Sequence, residues 1–472
     1  MSRRLTNVEK SLDKTVLVVL IFSYMTYSPS IFRSYDIRGI VPNELDEETA
    51  EKIGRAFAQF TSAKNVCVGR DMRVTGPAIQ AALIKGLTEQ GVDVVEVGMV
   101  TTPLFYFSVW QSKADAGIMV SASHNPGIYN GFKMTRAQAI PISKDTGLLK
   151  IREMVEKGEF PAGNKMGVVE KKDYTAGYLD YATAGAEKIG KMKIVIDSGN
   201  GMAGILLPQV LERLPQVEAV KMYFEPDGTF PNHEANPLEE KNMRDLQEAM
   251  RREGAALGVA FDGDADRVGF TDENGETVSG DLIGALIAQE MLKENSGAKI
   301  LYDLRSSWAA KETITAAGGV PVMSRVGHSY IKELMRKEGA IFAAELSSHF
   351  YFKDYYAESA IRAMIFLMRV ISEKGQKLSE LVAPLRKYAK TPEINFEVVD
   401  KAAAIAEAKR RYADGKQFEL DGFSVEYSDW WFNLRASGTE PLLRLNMEAK
   451  TSELLEQKKQ ELFSFLGQPI NH

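Results

Sequence analysis

Three times along this chain, a run of β-branched and other apolar residues breaks off into a loop crowded with polar side chains. The junctions are AGIMV into SASHNP at 116–126, ALGVAF into DGDADR at 256–267, and AIFAA into ELSSHF at 340–350. Each is the third apolar run of a set. NVCVGRD and VDVVEVG precede the first junction, MKIVIDSGNG and VEAVKMYF the second, AKILYDLRSS and GVPVMSRVG the third. Longer amphipathic stretches separate the runs, an alternation that predicts parallel strands joined by crossover helices. Open sheets of this kind bind ligands beyond the carboxyl ends of their strands, so three such ends can face one cleft. A chain of 472 residues is also too long for a single core.

From Thr391 the pattern changes to short strand candidates, one helical stretch and a charged terminal helix, the signature of a small α+β domain. The expected architecture is three similar α/β domains with mainly parallel, mixed sheets at 29–165, 172–275 and 279–388, followed by an α+β domain at 391–472. Residues 1–28 read as an extension or a misassigned start, with Met25 an alternative initiator. Its stretch KTVLVVLIFSYM resembles a signal-peptide core, but it is too short to span a bilayer as a helix and no small-residue cleavage site follows. A net charge of -6 argues against general nucleic-acid binding. The single cysteine, Cys67, excludes an internal disulfide framework and a cysteine-built zinc site, and fits a reducing, cytoplasmic setting without a membrane.

The chemistry concentrates in the polar loops. Asp262, Asp264 and Asp266 alternate in a tight loop after a buried strand, and clustered carboxylates of this kind call for a hard divalent cation. All-oxygen ligation favours magnesium over zinc. An EF-hand would need glycine at the sixth loop position, where Arg267 stands. An aspartyl-phosphate nucleophile is the other use of two acids spaced by two. In NLRASGTEPLLRL, Arg435 offers a planar fork for phosphate, with Ser437, Gly438 and Thr439 adding hydroxyl and backbone donors. Glu345, Ser347 and His349 alternate, so on an extended segment they would point one way and suit sugar hydroxyls. His328 and Lys332, four apart, would share one face of a helix beginning near Gly327. In VGRDMR, the residues Arg70, Asp71 and Arg73 read as an internal ion pair at a strand end.

Together these loops resemble the α-D-phosphohexomutase superfamily. SASHNP is similar to its phosphoserine loop, DGDADR to its magnesium loop, ELSSHF to its sugar loop and RASGTEP to its phosphate-binding loop, all in the family's order from about Pro29 onward. SIFRSYDIRGI and YNGFKM resemble the phosphomannomutase/phosphoglucomutase branch. The resemblance implies that Ser123 carries a phosphoryl group and that Asp262, Asp264, Asp266 and the phosphoserine hold Mg2+. Arg267 would neutralise the transferring group, and Lys133 or His124 would handle the hydroxyl proton. Tyr35, Arg38, Arg305, His328, Glu345, Ser347 and His349 would face the sugar, and Arg435, Ser437, Gly438 and Thr439 its distal phosphate.

The implied reaction interconverts hexose 1-phosphate and hexose 6-phosphate of mannose and/or glucose through a 1,6-bisphosphate. Glucose or mannose 1,6-bisphosphate would serve as activator, and phosphosugars would be the partners of a monomer or homodimer. Phosphoglucosamine mutase, an aspartyl-phosphate phosphohydrolase and a non-catalytic phosphosugar binder are the alternatives. Two departures from the family stand out. Arg305 occupies an expected lysine position, and YAESA replaces a more acidic, glycine-containing segment.

Overall fold

The computed structural model describes residues 28–161, 163, 165–437 and 442–470. Residues 1–27 of the expected extension, and Gly438 and Thr439 of the expected phosphate loop, lie outside the described residues.

All nine apolar runs form strands, and each set of three builds the parallel heart of one sheet. In the first, Asn65–Arg70 lies parallel to both Asp93–Met99 and Ala116–Val120. In the second, Met192–Asp197 lies parallel to Val217–Met222 and Leu257–Phe261. In the third, Lys299–Asp303 lies parallel to Val320–Ser324 and Phe342–Ala344. After each polar loop the chain returns as an antiparallel strand beside the one it has just left: Tyr129–Arg136, Val268–Thr271 and Phe350–Phe352. Sequence reasoning did not find these returns, because the loops lack the two-residue turn signatures that mark hairpins. Beyond the first domain's last helix the chain also contributes an edge strand, Val169–Lys171, to the first sheet.

One apolar cluster runs through all three α/β domains, taking in Phe105 from the first, Leu206, Phe261 and Phe270 from the second, and Ile283 and Met364 from the third. Phe261 and Phe270 flank the acidic loop and are 2% and 1% exposed. Burying a side chain of this size contributes roughly 1.5–3 kcal/mol, so both stems of that loop are fixed by packing. The fourth domain has its own core, with Phe432, Leu445 and Met447 of an antiparallel sheet packed against Leu462 and Leu466 of helix Ser452–Leu466. Among the described residues, no helix is long and apolar enough to cross a membrane.

Candidate active site

The acidic loop is wound so that its three carboxylates converge. Asp262 Oδ1 accepts the backbone N–H groups of Asp266 and Arg267, each at 3.0 Å. Ala265 takes a left-handed φ of 60° to close the turn. One oxygen from each of Asp262, Asp264 and Asp266 then lies within 4.8 Å of the others, all buried. Burial and the two neighbouring aspartates push the Asp262 carboxyl well up, while Lys133 and His349 outweigh burial at Asp266 and hold it well down. Asp264 Oδ1 is buried with no hydrogen-bond partner among the described residues. An orphaned carboxylate oxygen of this kind costs free energy that a hard cation in an all-oxygen site relieves, so the donor set fits a divalent ion such as magnesium.

Ser123 meets this loop from the first domain. Its Oγ donates to Asp262 Oδ2 at 2.9 Å, and its backbone holds a left-handed φ of 51°, a strained position for serine. Gly263 packs so tightly beneath it that a Cβ there would sit 2.5 Å from the Ser123 carbonyl oxygen. Arg73 fixes the conformation from behind. Its guanidinium spends all five donors: Nε on Asp71 (3.2 Å), Nη1 on the carbonyls of Pro126 (2.7 Å) and Tyr129 (2.9 Å), Nη2 on those of Ser123 (2.8 Å) and Asn125 (2.6 Å). The internal ion pair read from VGRDMR is present, but Arg73 also clamps the whole serine loop. That role had no sequence signal, since its partners are backbone carbonyls some fifty residues away.

The acidic loop is further tied to helix Thr102–Gln111, whose first turn points at it. Thr102 Oγ1 donates to Asp264 Oδ2 at 2.6 Å, as does Ser121 Oγ at 3.2 Å. A helix N-terminus beside a carboxylate is electrostatically favourable. Lys133, delivered by the return strand opposite Met119, lies 2.8 Å from Asp264 Oδ2 and 2.5 Å from Asp266 Oδ2. Burial disfavours its charge, but the two aspartates prevail and hold it cationic. His124 behaves oppositely. Its Nδ1 is 3.2 Å from Ser123 Oγ, and burial together with Arg267 and Arg38 keeps the ring neutral.

The third domain adds a chain of charges. His349 Nε2 lies 3.2 Å from Asp266 Oδ1, and its Nδ1 lies 3.2 Å from Glu345 Oε2. Burial and Arg267 oppose protonation, yet the flanking carboxylates lift the ring to about 9. Glu345 also accepts from Gly327 N (3.0 Å) and Tyr351 OH (2.5 Å), and its pKa falls to about 2 despite burial because of His349 and Arg305. The expected extended segment is corrected here. Residues 345–348 form a turn closed by Ser348 N to Glu345 O at 3.1 Å, with Ser348 at φ 63°. Glu345, Ser347 and His349 still converge, through the turn rather than by strand alternation, with Ser347 Oγ 3.2 Å from His349 Nδ1.

The expected pair on helix His328–Glu338 does share a face, and both side chains turn toward Glu358 of the divergent YAESA segment. Lys332 Nζ is 2.7 Å and His328 Nδ1 3.7 Å from that carboxylate. Tyr35 packs edge-on against His328, and Arg38 donates to Asn125 Oδ1 at 2.5 Å beside the serine loop. Arg267 reaches His349 Nε2 at 3.3 Å and Asp262 at 3.9 Å. Arg305 is paired with Asp303 at 2.8 Å and lies 4.0 Å from Glu345. Arg435, on strand Trp430–Ala436, is 3.2 Å from Glu393, and Ser437 follows that strand. Glu358 and Glu393 escaped sequence reasoning, the first inside a segment noted only as a departure from the family and the second at the start of the fourth domain, where no motif marks it.

The fold and this site have counterparts among known proteins. The chain matches phosphoglucomutase/phosphomannomutase alpha/beta/alpha domain I over residues 29–162, domain II over 173–275, domain III over 279–388 and the C-terminal domain over 393–464. It is 40% identical to a phosphomannomutase of Salmonella montevideo over 449 residues, spanning 92% of this chain and 98% of the relative. It is 39% identical to a phosphomannomutase of Methanocaldococcus jannaschii over 447 residues, spanning 93% and 97%. A crystal structure of a phosphoglucomutase/phosphomannomutase family protein from Burkholderia thailandensis superposes with a TM-score of 0.85 at 32% identity, covering 94% of this chain and 99% of that one. With the three strand-end loops facing one another in space and all four domains matched in order, the chain belongs to the phosphoglucomutase/phosphomannomutase family.

Proposed function

We propose that this protein is a phosphohexomutase that interconverts hexose 1-phosphates and hexose 6-phosphates of mannose and/or glucose, with Ser123 as the phosphoryl carrier. The observation that carries this reading is the placement of Ser123 Oγ 2.9 Å from Asp262, inside a buried acidic cluster with an orphaned oxygen. A serine without a carboxylate–histidine relay is a poor unaided nucleophile, but as a phosphate ester it is a donor that needs none.

In the first half-reaction the phosphoserine P–O bond breaks and a bond forms to the free hydroxyl of the sugar phosphate, giving a 1,6-bisphosphate and Ser123 in its hydroxyl form. The sugar's hydroxyl proton needs an acceptor, and neutral His124 beside Ser123 Oγ has a lone pair to take it and, 3.2 Å away, to return a proton to the leaving serine oxygen. Lys133, held as a cation, and Arg267 place positive charge beside the transferring oxygens. Magnesium held by Asp262, Asp264 and Asp266 would add further positive charge to the phosphoryl group. After the intermediate turns over, the second half-reaction reverses these steps with the other phosphate. Glu345 and Ser347 are placed to hold ring hydroxyls, and Arg435 and Ser437 the phosphate that is not reacting. A 1,6-bisphosphate would prime the serine, hence an activator role for glucose or mannose 1,6-bisphosphate.

The test is a side-by-side assay of mannose 1-phosphate, glucose 1-phosphate and glucosamine 1-phosphate, with magnesium and a trace of glucose 1,6-bisphosphate. The reading expects 6-phosphates from mannose, glucose or both. Binding without conversion, or release of inorganic phosphate in place of the 6-phosphate, would overturn it.

A further inference from the structure

Glu393 lies at the entrance to the fourth domain, just before strand Ile394–Glu397, and is surrounded by arginines. Its Oε2 is 3.2 Å from Arg435 Nη2 and 3.8 Å from Arg305 Nη1, and accepts from Asn446 Nδ2 at 3.0 Å. Its Oε1 is 3.4 Å from Arg444 Nη1. Burial opposes the charge, but Arg305 and Arg435 outweigh it and hold the carboxylate ionised. Arg305 already has Asp303 as a closer partner at 2.8 Å, whereas Arg435 has Glu393 at 3.2 Å.

The Arg435 fork is only half used. Nη2 is on Glu393, while Nε, on the same side-on edge, is buried without a hydrogen-bond partner among the described residues. A guanidinium edge of this kind is built for two parallel bonds to one anion, and a phosphate group can take both. With Glu393 present, the Arg435 charge already has a carboxylate against it. Without it that charge is left to the phosphate, which can take both Nε and Nη2.

We propose that Glu393 is a resident counter-ion that competes with the substrate's distal phosphate for Arg435 and so keeps that phosphate exchangeable. The inference rests on the mutase reading, in which the phosphate at this end must leave and be replaced by its counterpart in every cycle. A desolvated Arg435 guanidinium left without an anion would resist that departure. A carboxylate already in place covers it as the phosphate withdraws, at the expense of phosphate affinity.

The experiment compares the full-length protein with Glu393→Gln, whose amide oxygen still accepts from Asn446, and with Glu393→Asp, which shortens the reach to Arg435. Inorganic phosphate is titrated calorimetrically, an Arg435→Met variant assigns the binding heat to this end, and melting temperature reports folding. For Glu393→Gln the expected result is phosphate binding tighter by about tenfold. KM for the sugar phosphate should fall by a similar factor and kcat should fall with it, because release becomes slow. Glu393→Asp should shift phosphate affinity the same way by a smaller factor. Unchanged or weaker phosphate binding in Glu393→Gln, or a raised KM with unchanged kcat, would overturn the proposal and leave Glu393 as scaffolding. The phosphate titration does not depend on turnover, so failure of the mutase assay and failure of this inference are separately visible.

Discussion

The two ends of the cleft are built on opposite principles. At the serine end, Ser123, Asp262 and Asp264 are 1% exposed or less, Arg73 has every donor occupied, and Asp264 is held by Thr102, Ser121 and Lys133. At the arginine end, Arg435 uses one arm of its fork, Glu393 is 24% exposed, and Arg444 27%. The first arrangement fixes reacting atoms in advance, the condition for electrostatic stabilisation of a transition state. In the proposed mechanism the second would hold a group that does not react and must let it go. On that reading precision sits where bonds would change, and slack where the substrate would have to turn.

Substitutions at the two ends should separate in kind. Ser123→Ala should cut kcat by at least about a thousandfold, since it removes the group that carries the phosphoryl, with little change in substrate affinity. Arg435→Lys should instead raise KM by about tenfold and largely spare kcat, because a lysine supplies charge without the fork. Steady-state kinetics with the preferred sugar phosphate decides. If both substitutions acted on kcat alone, the division of labour between the ends would be wrong.

Arg73→Met tests how far the rigidity of the serine end depends on one residue. The change leaves Asp71 buried without its ion-pair partner and takes the guanidinium donors away from four carbonyls. Breaking a buried pair of this kind costs about 3–5 kcal/mol, which urea unfolding measures directly. An effect below about 1 kcal/mol would mean that the loop holds its shape unaided.

The smallest expected effect concerns the wall behind that clamp. Phe230 lies under the Arg73 guanidinium at 5.5 Å, and His233, three residues on, bonds Asp197 through Nε2 and the Glu234 carbonyl through Nδ1, both at 2.9 Å. Tyr223 packs edge-on against the ring. Burial opposes the charged form, but Asp197 outweighs it and raises the His233 pKa above its usual 6.5. A histidine raised in the folded state stabilises fully below its unfolded pKa and loses that contribution as pH climbs through the folded one. Melting temperature should therefore decline from about pH 6.5 upward in the native protein, and this component should be missing in His233→Gln. Identical pH slopes for the two proteins would remove His233 from the account.

The fold was legible where local chemistry dictates it. Nine β-branched runs and their polar ends foretold three sheets, and the spacing of Asp262, Asp264 and Asp266 foretold a convergent acidic site. What escaped was set by distant partners. The return strands carry no tight-turn signature, ELSSHF looks extended until Glu345 and Ser348 close it into a turn, and nothing near Arg73 in the chain announces the carbonyls of Ser123 to Tyr129. Glu393 sits in YAKTPE, a stretch whose sequence suggests only a linker. Its neighbours Arg305, Arg435 and Arg444 come from two other strands and a loop that meet it only in the folded chain.

The central claim is that Ser123 carries the phosphoryl group. Incubation with glucose 1,6-bisphosphate and magnesium, followed by intact-mass measurement and peptide mapping, tests it most directly. The account predicts one stable phosphoryl group, located on Ser123 and discharged when hexose phosphate is added. A phosphoryl group on Asp262, Asp264 or Asp266, or full turnover by Ser123→Ala, would contradict it.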